Sequence, residues 1–174
     1  VTTRTAGFNS VDLSNINTVS YILFIFLMIV GGSPGGTAGG IKTVTFAVLI
    51  ASMISTVRNK SEVTLFNRKF TKQVVSKAVA VTGMSFLIMF ASTLFLSAVC
   101  DANALDIVYE TVSATATVGL TRNLTPLLNN LGKVIIIVTM YLGRVGPISL
   151  AVAFKTRKQS PDVVKDPTEV ISVG

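Results

Sequence analysis

Two short segments, 112 residues apart, carry the same pattern: Thr5-Ala6-Gly7-Phe8-Asn9 and Thr117-Val118-Gly119-Leu120-Thr121. A Thr-x-Gly turn can aim successive backbone carbonyls at one point, because its glycine accepts the positive φ that such a turn requires. Carbonyls so arranged replace the hydration shell of a bare cation, which is the chemistry of a selectivity filter. A single Thr-x-Gly is usually an ordinary turn. The duplication changes that, since the register persists well past the glycines. Sliding the chain by 112 places Thr3 on Thr115, Met28 on Met140 and Gly31 on Gly143, with Ile22, Phe24, Phe26 and Val30 on Val134, Ile136, Val138 and Leu142. Turn, polar spacer and apolar helix therefore recur as one unit, a common plan of membrane transport proteins.

The elements that must hold these turns are apolar. Half of the 174 residues are hydrophobic, only 13% are charged, and Trp and His are absent; mean hydropathy is +0.68. A soluble domain carries about 25% charged residues. Positions 78–99 are uncharged throughout, about 33 Å as a helix, enough for a hydrocarbon core of about 30 Å. The net charge of +7 is distributed as topology and does not indicate nucleic acid. Residues 58–77 hold Arg58, Lys60, Arg68, Lys69, Lys72 and Lys77 against Glu62 alone, and Lys155, Arg157 and Lys158 follow the last apolar run. Both segments read as cytoplasmic. Asp101, Asp106 and Glu110, between them, are expected to face the outside and enrich cations at a pore mouth. Cys100 is the single cysteine, so no intrachain disulfide and no cysteine metal cluster is expected.

Along the chain, the run from Val19 to Val30 is about 18 Å long, too short to cross a bilayer. It leads into Gly31-Gly32-Ser33-Pro34-Gly35-Gly36-Thr37-Ala38-Gly39-Gly40, after which Ile41 to Val57 is apolar again. Six glycines and a proline do not sustain a helix, so a break is expected there. After the span at 78–99, Asn103 can cap a helix from Ala104 to about Thr115, with Asp106 near its positive end. That helix reads as re-entrant, with C-terminal carbonyls toward the cavity. Lys133 opens the last span.

The glycine-rich segment admits several readings. A nucleotide-binding P-loop would require Gly-Lys-Ser/Thr, but Ile41 precedes Lys42, and a membrane hydrolase would need an acid or His among the spans, where the sequence offers none. Close helix packing through Gly31, Gly35 and Gly39, in a purely structural anchor, leaves the doubled turn unexplained. A non-helical loop lining a wetted cavity under the filter remains. Arg144 is the eleventh of 21 residues from Val134 to Phe154, mid-span, where an arginine costs about 2.5–3.5 kcal/mol. Either buried carbonyls satisfy it or it faces the cavity as a barrier to cations. The 112-residue shift sets it on Gly32, so Gly31 through Gly40 and Arg144 together read as a gate.

Thr2-Thr3-Arg4-Thr5-Ala6-Gly7-Phe8-Asn9, Gly31 through Lys42, Ala116-Thr117-Val118-Gly119-Leu120 and Gly143-Arg144-Val145-Gly146-Pro147 together resemble the Trk/Ktr/HKT superfamily of potassium transporters, most closely the Ktr membrane (pore) subunit. The resemblance covers nearly the whole chain. It implies an all-α polytopic membrane protein of membrane-pore-membrane repeats, four per parent chain in a pseudo-fourfold pore, and no enzymatic activity. Residues 1–57 would end the third repeat, with a filter and a broken second spanning helix. Residues 58–77 would be a cytoplasmic basic linker, 78–155 the fourth repeat and 156–174 a cytoplasmic tail. The chain begins at Val1 and its first filter has no preceding pore helix, so it is expected to be the C-terminal portion of a chain of about 450 residues.

By the same resemblance, K+ is the transported ion, held by carbonyls of Thr5, Ala6, Gly7, Thr117, Val118 and Gly119. No organic cofactor is implied. The implied partners are a second copy in a homodimer, the lipid bilayer of the cytoplasmic membrane, and a cytoplasmic nucleotide-binding regulatory ring of the KtrA/TrkA type. Phe8 and Leu120 stand where a strict potassium-channel filter has its aromatic-glycine end, which implies looser selectivity. A Na+-permeable or Na+-coupled member of the superfamily stays open as the alternative.

Overall fold

The computed structural model describes residues 2–8, 13, 16–33, 39–59, 63–65 and 68–146. Five α-helices dominate these: α1 (Thr18–Ile29), α2 (Thr43–Val57), α3 (Lys72–Val99), α4 (Ala104–Thr115) and α5 (Asn130–Val145). A π-helical turn, Thr2–Ala6, precedes α1, and a 3-10 turn, Thr125–Leu127, precedes α5. Two antiparallel strands of two residues, β1 (Thr64–Leu65) and β2 (Arg68–Lys69), form a ribbon between α2 and α3.

Helix α1 ends at Ile29 and α2 begins at Thr43; Val30 to Ser33 and Gly39 to Lys42, between them, are not helical. The two ends of the interruption are tied together. Gly31 N–H donates to the Ile41 carbonyl at 2.8 Å, Ile41 N–H to Ile29 at 3.3 Å and Thr43 N–H to Gly32 at 3.2 Å. Backbone groups freed by the break thus find partners, as low-dielectric surroundings demand. Pro34 to Ala38 lie outside the described residues.

At 28 residues, α3 is the one described helix long and apolar enough to span a membrane. It starts at Lys72, inside the basic segment that the sequence reads as linker. Lysine is a good helix former, and its stem lets the charge reach the interface. Along α3, Phe86, Leu87, Phe90, Leu94 and Phe95 are all exposed, and α1 and α5 also present apolar side chains outward. In water such a surface would aggregate, whereas lipid solvates it.

The buried centre is α4, eight of whose 12 residues are buried. Asn103 starts it by accepting a hydrogen bond from Leu105 N–H at 3.2 Å. One core cluster joins Tyr21 and Met28 of α1 to Tyr109, Val112, Ala116, Val118 and Leu120; a second joins Leu96 of α3 and Ile136 of α5 to Ile107, Ala114, Leu124 and Leu128. Hydroxyls add interhelical bonds: Thr93 to Thr111 at 2.9 Å and Thr139 to Ser92 at 2.8 Å. Each such bond within a membrane contributes about 0.6 kcal/mol on average.

Helix α5 begins at Asn130, three residues before the Lys133 expected from the sequence, because Asn129 caps it through Gly132 N–H at 2.8 Å. It ends at Val145, with Gly146 as cap. Gly143 lies where a Cβ would fall 2.1 Å from the Thr115 carbonyl oxygen. Gly143→Ala is therefore expected to force α5 off the end of α4 and destabilise the full-length protein by about 1–3 kcal/mol, read as a lower Tm in detergent. An unchanged Tm would contradict the contact.

Candidate functional site

Helix α4 delivers the second Thr-x-Gly segment. Its end unwinds through a 3.1 Å bond from Thr117 N–H to Ala114 and a longer-range 2.9 Å bond from Val118 N–H to Ser113. Thr117 has φ +54° and Gly119 φ +87°. Val118 and Leu120 are buried against α1 and α4 while Gly119 is exposed. The side chains are thereby turned into the protein, which frees backbone in this stretch to face elsewhere.

The first segment differs at its start. Thr5 and Ala6 close the π-helical turn, and Gly7 N–H reaches back to the Thr2 carbonyl at 3.4 Å. Gly7 then adopts φ +67° and Phe8 is exposed; Asn9 lies outside the described residues. Both turns leave a helical segment through a backbone bond from residue i to residue i−5, Gly7 to Thr2 and Val118 to Ser113, and both place a glycine at positive φ, Gly7 and Gly119. The two turns lie side by side. A Cβ on Gly7 would be 2.7 Å from the Val118 carbonyl oxygen and 3.7 Å from Gly119 Cα.

The glycine-rich segment reaches the same place. Gly39 N–H donates to Thr117 Oγ1 at 3.1 Å, and a Cβ on Gly39 would lie 2.4 Å from that oxygen and 2.8 Å from the Ala116 carbonyl oxygen. Gly40 packs on Ala116, with its Cβ position 3.3 Å from that of Ala116. Gly31 is held against the Gly39 carbonyl, 2.3 Å from its Cβ position; Gly32 is half-buried and Ser33 exposed, and Pro34, Gly35, Gly36, Thr37 and Ala38 lie outside the described residues. Arg144 occupies the last turn of α5, exposed and one residue beyond the glycine that abuts Thr115. A cation there suits the negative end of the helix dipole. Pro147 and Phe154 fall outside the described residues, so the span in which Arg144 is central is described only through Val145.

Asp106 and Glu110 lie on α4, the helix expected from Ala104, and both are engaged by side chains from elsewhere in the chain. Asp106 Oδ1 pairs with Arg122 Nη1 and accepts from the Tyr21 hydroxyl at 3.2 Å. Arg122 also lies over the Tyr21 ring, 4.5 Å from its centroid, and Tyr21 stacks on Tyr109 at 4.7 Å. This links α1 to the exit of the second turn. Interaction with Tyr21, the largest influence, raises the Arg122 pKa above its ordinary value, and desolvation opposes it. Glu110 is 6% exposed; it accepts hydrogen bonds from Thr121 Oγ1 at 2.9 Å and from Thr125 Oγ1. Both carboxylate oxygens of Glu110 are thus engaged by threonine hydroxyls of the segment that follows the second turn.

Among the described residues no group of three or more His, Cys, Asp and Glu could hold a metal ion. The oxygen atoms that Gly7 and Gly39 meet here are the Val118 and Ala116 carbonyls and the Thr117 hydroxyl.

Comparisons with known proteins agree in kind. A family model described as TrkH, a cation transport protein, matches residues 1–165. Ktr system potassium uptake protein B of Bacillus subtilis (strain 168) is 42% identical over 160 residues, 92% of this chain and 36% of the relative. The protein of the same name from Vibrio alginolyticus is 37% identical, over 98% of this chain and 37% of its own length. Potassium/sodium uptake protein NtpJ of Enterococcus hirae is 34% identical, over 100% and 40%. The crystal structure of the potassium transporter TrkH from Vibrio parahaemolyticus matches in fold with a TM-score of 0.73 at 18% identity, covering 89% of this chain and 35% of that one. The chain thus spans between a third and two fifths of the length of these relatives.

Proposed function

The chain belongs to the TrkH family of cation transport proteins, and from that premise we propose that it builds part of a gated potassium uptake pathway across the cytoplasmic membrane. The observation that carries the reading is the meeting of Gly7 and Gly119, each with positive φ, with the Gly39 N–H on Thr117 at the α4 end of the second turn. Carbonyls of Thr5, Ala6, Gly7, Thr117, Val118 and Gly119 take the place of water around K+, and the C-terminal carbonyls of α4 add partial negative charge beneath them. Selectivity arises because these carbonyls are held by backbone bonds to α4 and to the π-helical turn. In this reading the glycine-rich segment, through Gly39 and Gly40 against Thr117 and Ala116, and Arg144 together form the gate, so that passage requires both to yield.

Two such repeats, with two more elsewhere in the full-length protein, would close a pseudo-fourfold ring. The exposed apolar faces of α1, α3 and α5 suit lipid and further membrane helices. Cytoplasmic placement of 58–77 and 156–174 follows from their basic bias. The naming of two relatives as parts of a Ktr system fits a membrane subunit acting with a separate cytoplasmic regulator, here a nucleotide-binding ring, and with a second copy of itself. A sodium-permeable pore is the second reading. It is favoured by the NtpJ relative, whose name includes sodium, and by Phe8 and Leu120 after the filter glycines. The test is cation flux into vesicles bearing the full-length protein. Uptake of K+ well above that of Na+ supports the first reading, comparable uptake the second, and absence of flux with regulator and nucleotide supplied contradicts both.

A further inference from the structure

The filter's second turn is tied to α4 at two levels. At its inner end Val118 N–H is bonded to the Ser113 carbonyl at 2.9 Å. At its outer end Thr121 Oγ1 is bonded to Glu110 Oε2, also at 2.9 Å. Glu110 and Ser113 are three residues apart on one helix, about 5–6 Å between Cβ atoms and on the same face. The segment from Val118 to Thr121 is therefore strung across a single turn of α4. Its other side chains anchor inward: Val118 and Leu120 are each 3% exposed.

The outer tie is a closed triangle. Thr125 donates to Glu110 Oε1, Thr121 to Oε2, and Thr125 Oγ1 lies 3.2 Å from Thr121 Oγ1. Thr125 opens the 3-10 turn that leads to α5, so the carboxylate also holds the return segment. An ionisable side chain this buried is expensive unless its oxygens are satisfied, and both are. A leucine of similar volume would leave the Thr121 and Thr125 hydroxyls without this acceptor.

We propose that Glu110 is a positioning residue for ion selection: by holding Thr121, it fixes the outer carbonyls of the Thr117–Thr121 filter. Whether discrimination comes from cavity size or from the number and strength of carbonyl dipoles, it degrades when one end of the carbonyl ladder is released. This rests on the reading of residues 117–121 as a filter.

The test compares K+ and Na+ flux ratios in vesicles for the full-length protein and its Glu110→Ala, Glu110→Gln and Thr121→Val variants, with Gly119→Ser as the filter control and Tm measured on each. Loss of a charge-assisted bond from the filter is expected to lower the K+/Na+ ratio about tenfold in Glu110→Ala and Thr121→Val. Glu110→Gln keeps an acceptor for Thr121 and should retain the ratio to within about threefold. A merely structural glutamate would lower Tm and leave the ratio of the folded protein unchanged, which overturns the proposal; so does a normal ratio in Thr121→Val, which keeps Glu110 intact if Glu110→Ala fails to fold. Equal collapse in Glu110→Gln and Glu110→Ala with a normal Thr121→Val assigns the effect to charge and also overturns it. If Gly119→Ser leaves the ratio unchanged as well, the filter reading has failed; if Gly119→Ser alone lowers it, only the role of Glu110 has.

Discussion

Gly7→Ser and Gly119→Ser are expected to cut the preference for K+ over Na+ by about tenfold or more, with Gly7→Ser the more severe. Both glycines have positive φ, +67° and +87°, where an L-residue costs about 1–2 kcal/mol, itself enough for a fivefold to thirtyfold shift in the occupancy of the native turn. At Gly119 the backbone strain acts nearly alone, since the nearest atom to a new Cβ is Gly7 Cα at 3.9 Å. At Gly7 the Cβ would also meet the Val118 carbonyl oxygen at 2.7 Å, so the substitution displaces a carbonyl of the neighbouring turn as well as its own. Relative flux of the two ions reads the effect directly. Unchanged ratios in both variants would remove the filter from the account.

Gly39→Ala and Arg144→Ala are expected to raise flux at unchanged ion preference and to weaken dependence on a regulatory partner. An alanine at 39 cannot keep its present seat, with Thr117 Oγ1 2.4 Å and the Ala116 carbonyl oxygen 2.8 Å from its Cβ position. Both neighbours belong to the filter side, held through α4, so the glycine segment is what moves, releasing the Gly39 N–H from Thr117. Arg144 acts at longer range. At an effective dielectric of about 20, a fixed unit charge repels a cation by on the order of 1–2 kcal/mol at separations of about 8–16 Å, or about fivefold to thirtyfold in ion occupancy. Removing it should raise uptake severalfold. If Arg144 serves only to satisfy buried carbonyls, its loss leaves them unpaired and lowers Tm with no gain in flux. Uptake and Tm measured on the same purified variant separate the two.

Local signals made much of the helical fold legible. The Asn103 cap and the glycine-rich break are encoded within a few residues, and α4 and the end of α1 follow from them. Repeat spacing singled out Gly7 and Gly119, because positive φ has a residue signature. Thr117 also has positive φ but gives no such signal; a β-branched residue is held there by what surrounds it, including the bond from Gly39. The partners of Asp106 and Glu110 were not legible because they are distant in sequence. Arg122 is 16 residues from Asp106, Thr121 is 11 from Glu110, and Tyr21 is 85 from Asp106. A carboxylate among polar residues near a helix start reads as solvated until the return segment is folded over it. The early start of α3 was hidden for a related reason, since lysines mark an interface without saying whether the backbone there is helical.

Whether carbonyls of the two glycine turns hold the permeating ion is read from crystals of the full-length protein grown with thallium(I), a potassium mimic with a strong anomalous signal. Anomalous peaks are expected in a row beside the Thr5–Gly7 and Thr117–Gly119 carbonyls, diminished when excess K+ is added. Peaks confined to other parts of the molecule, with none beside those carbonyls, would contradict that role.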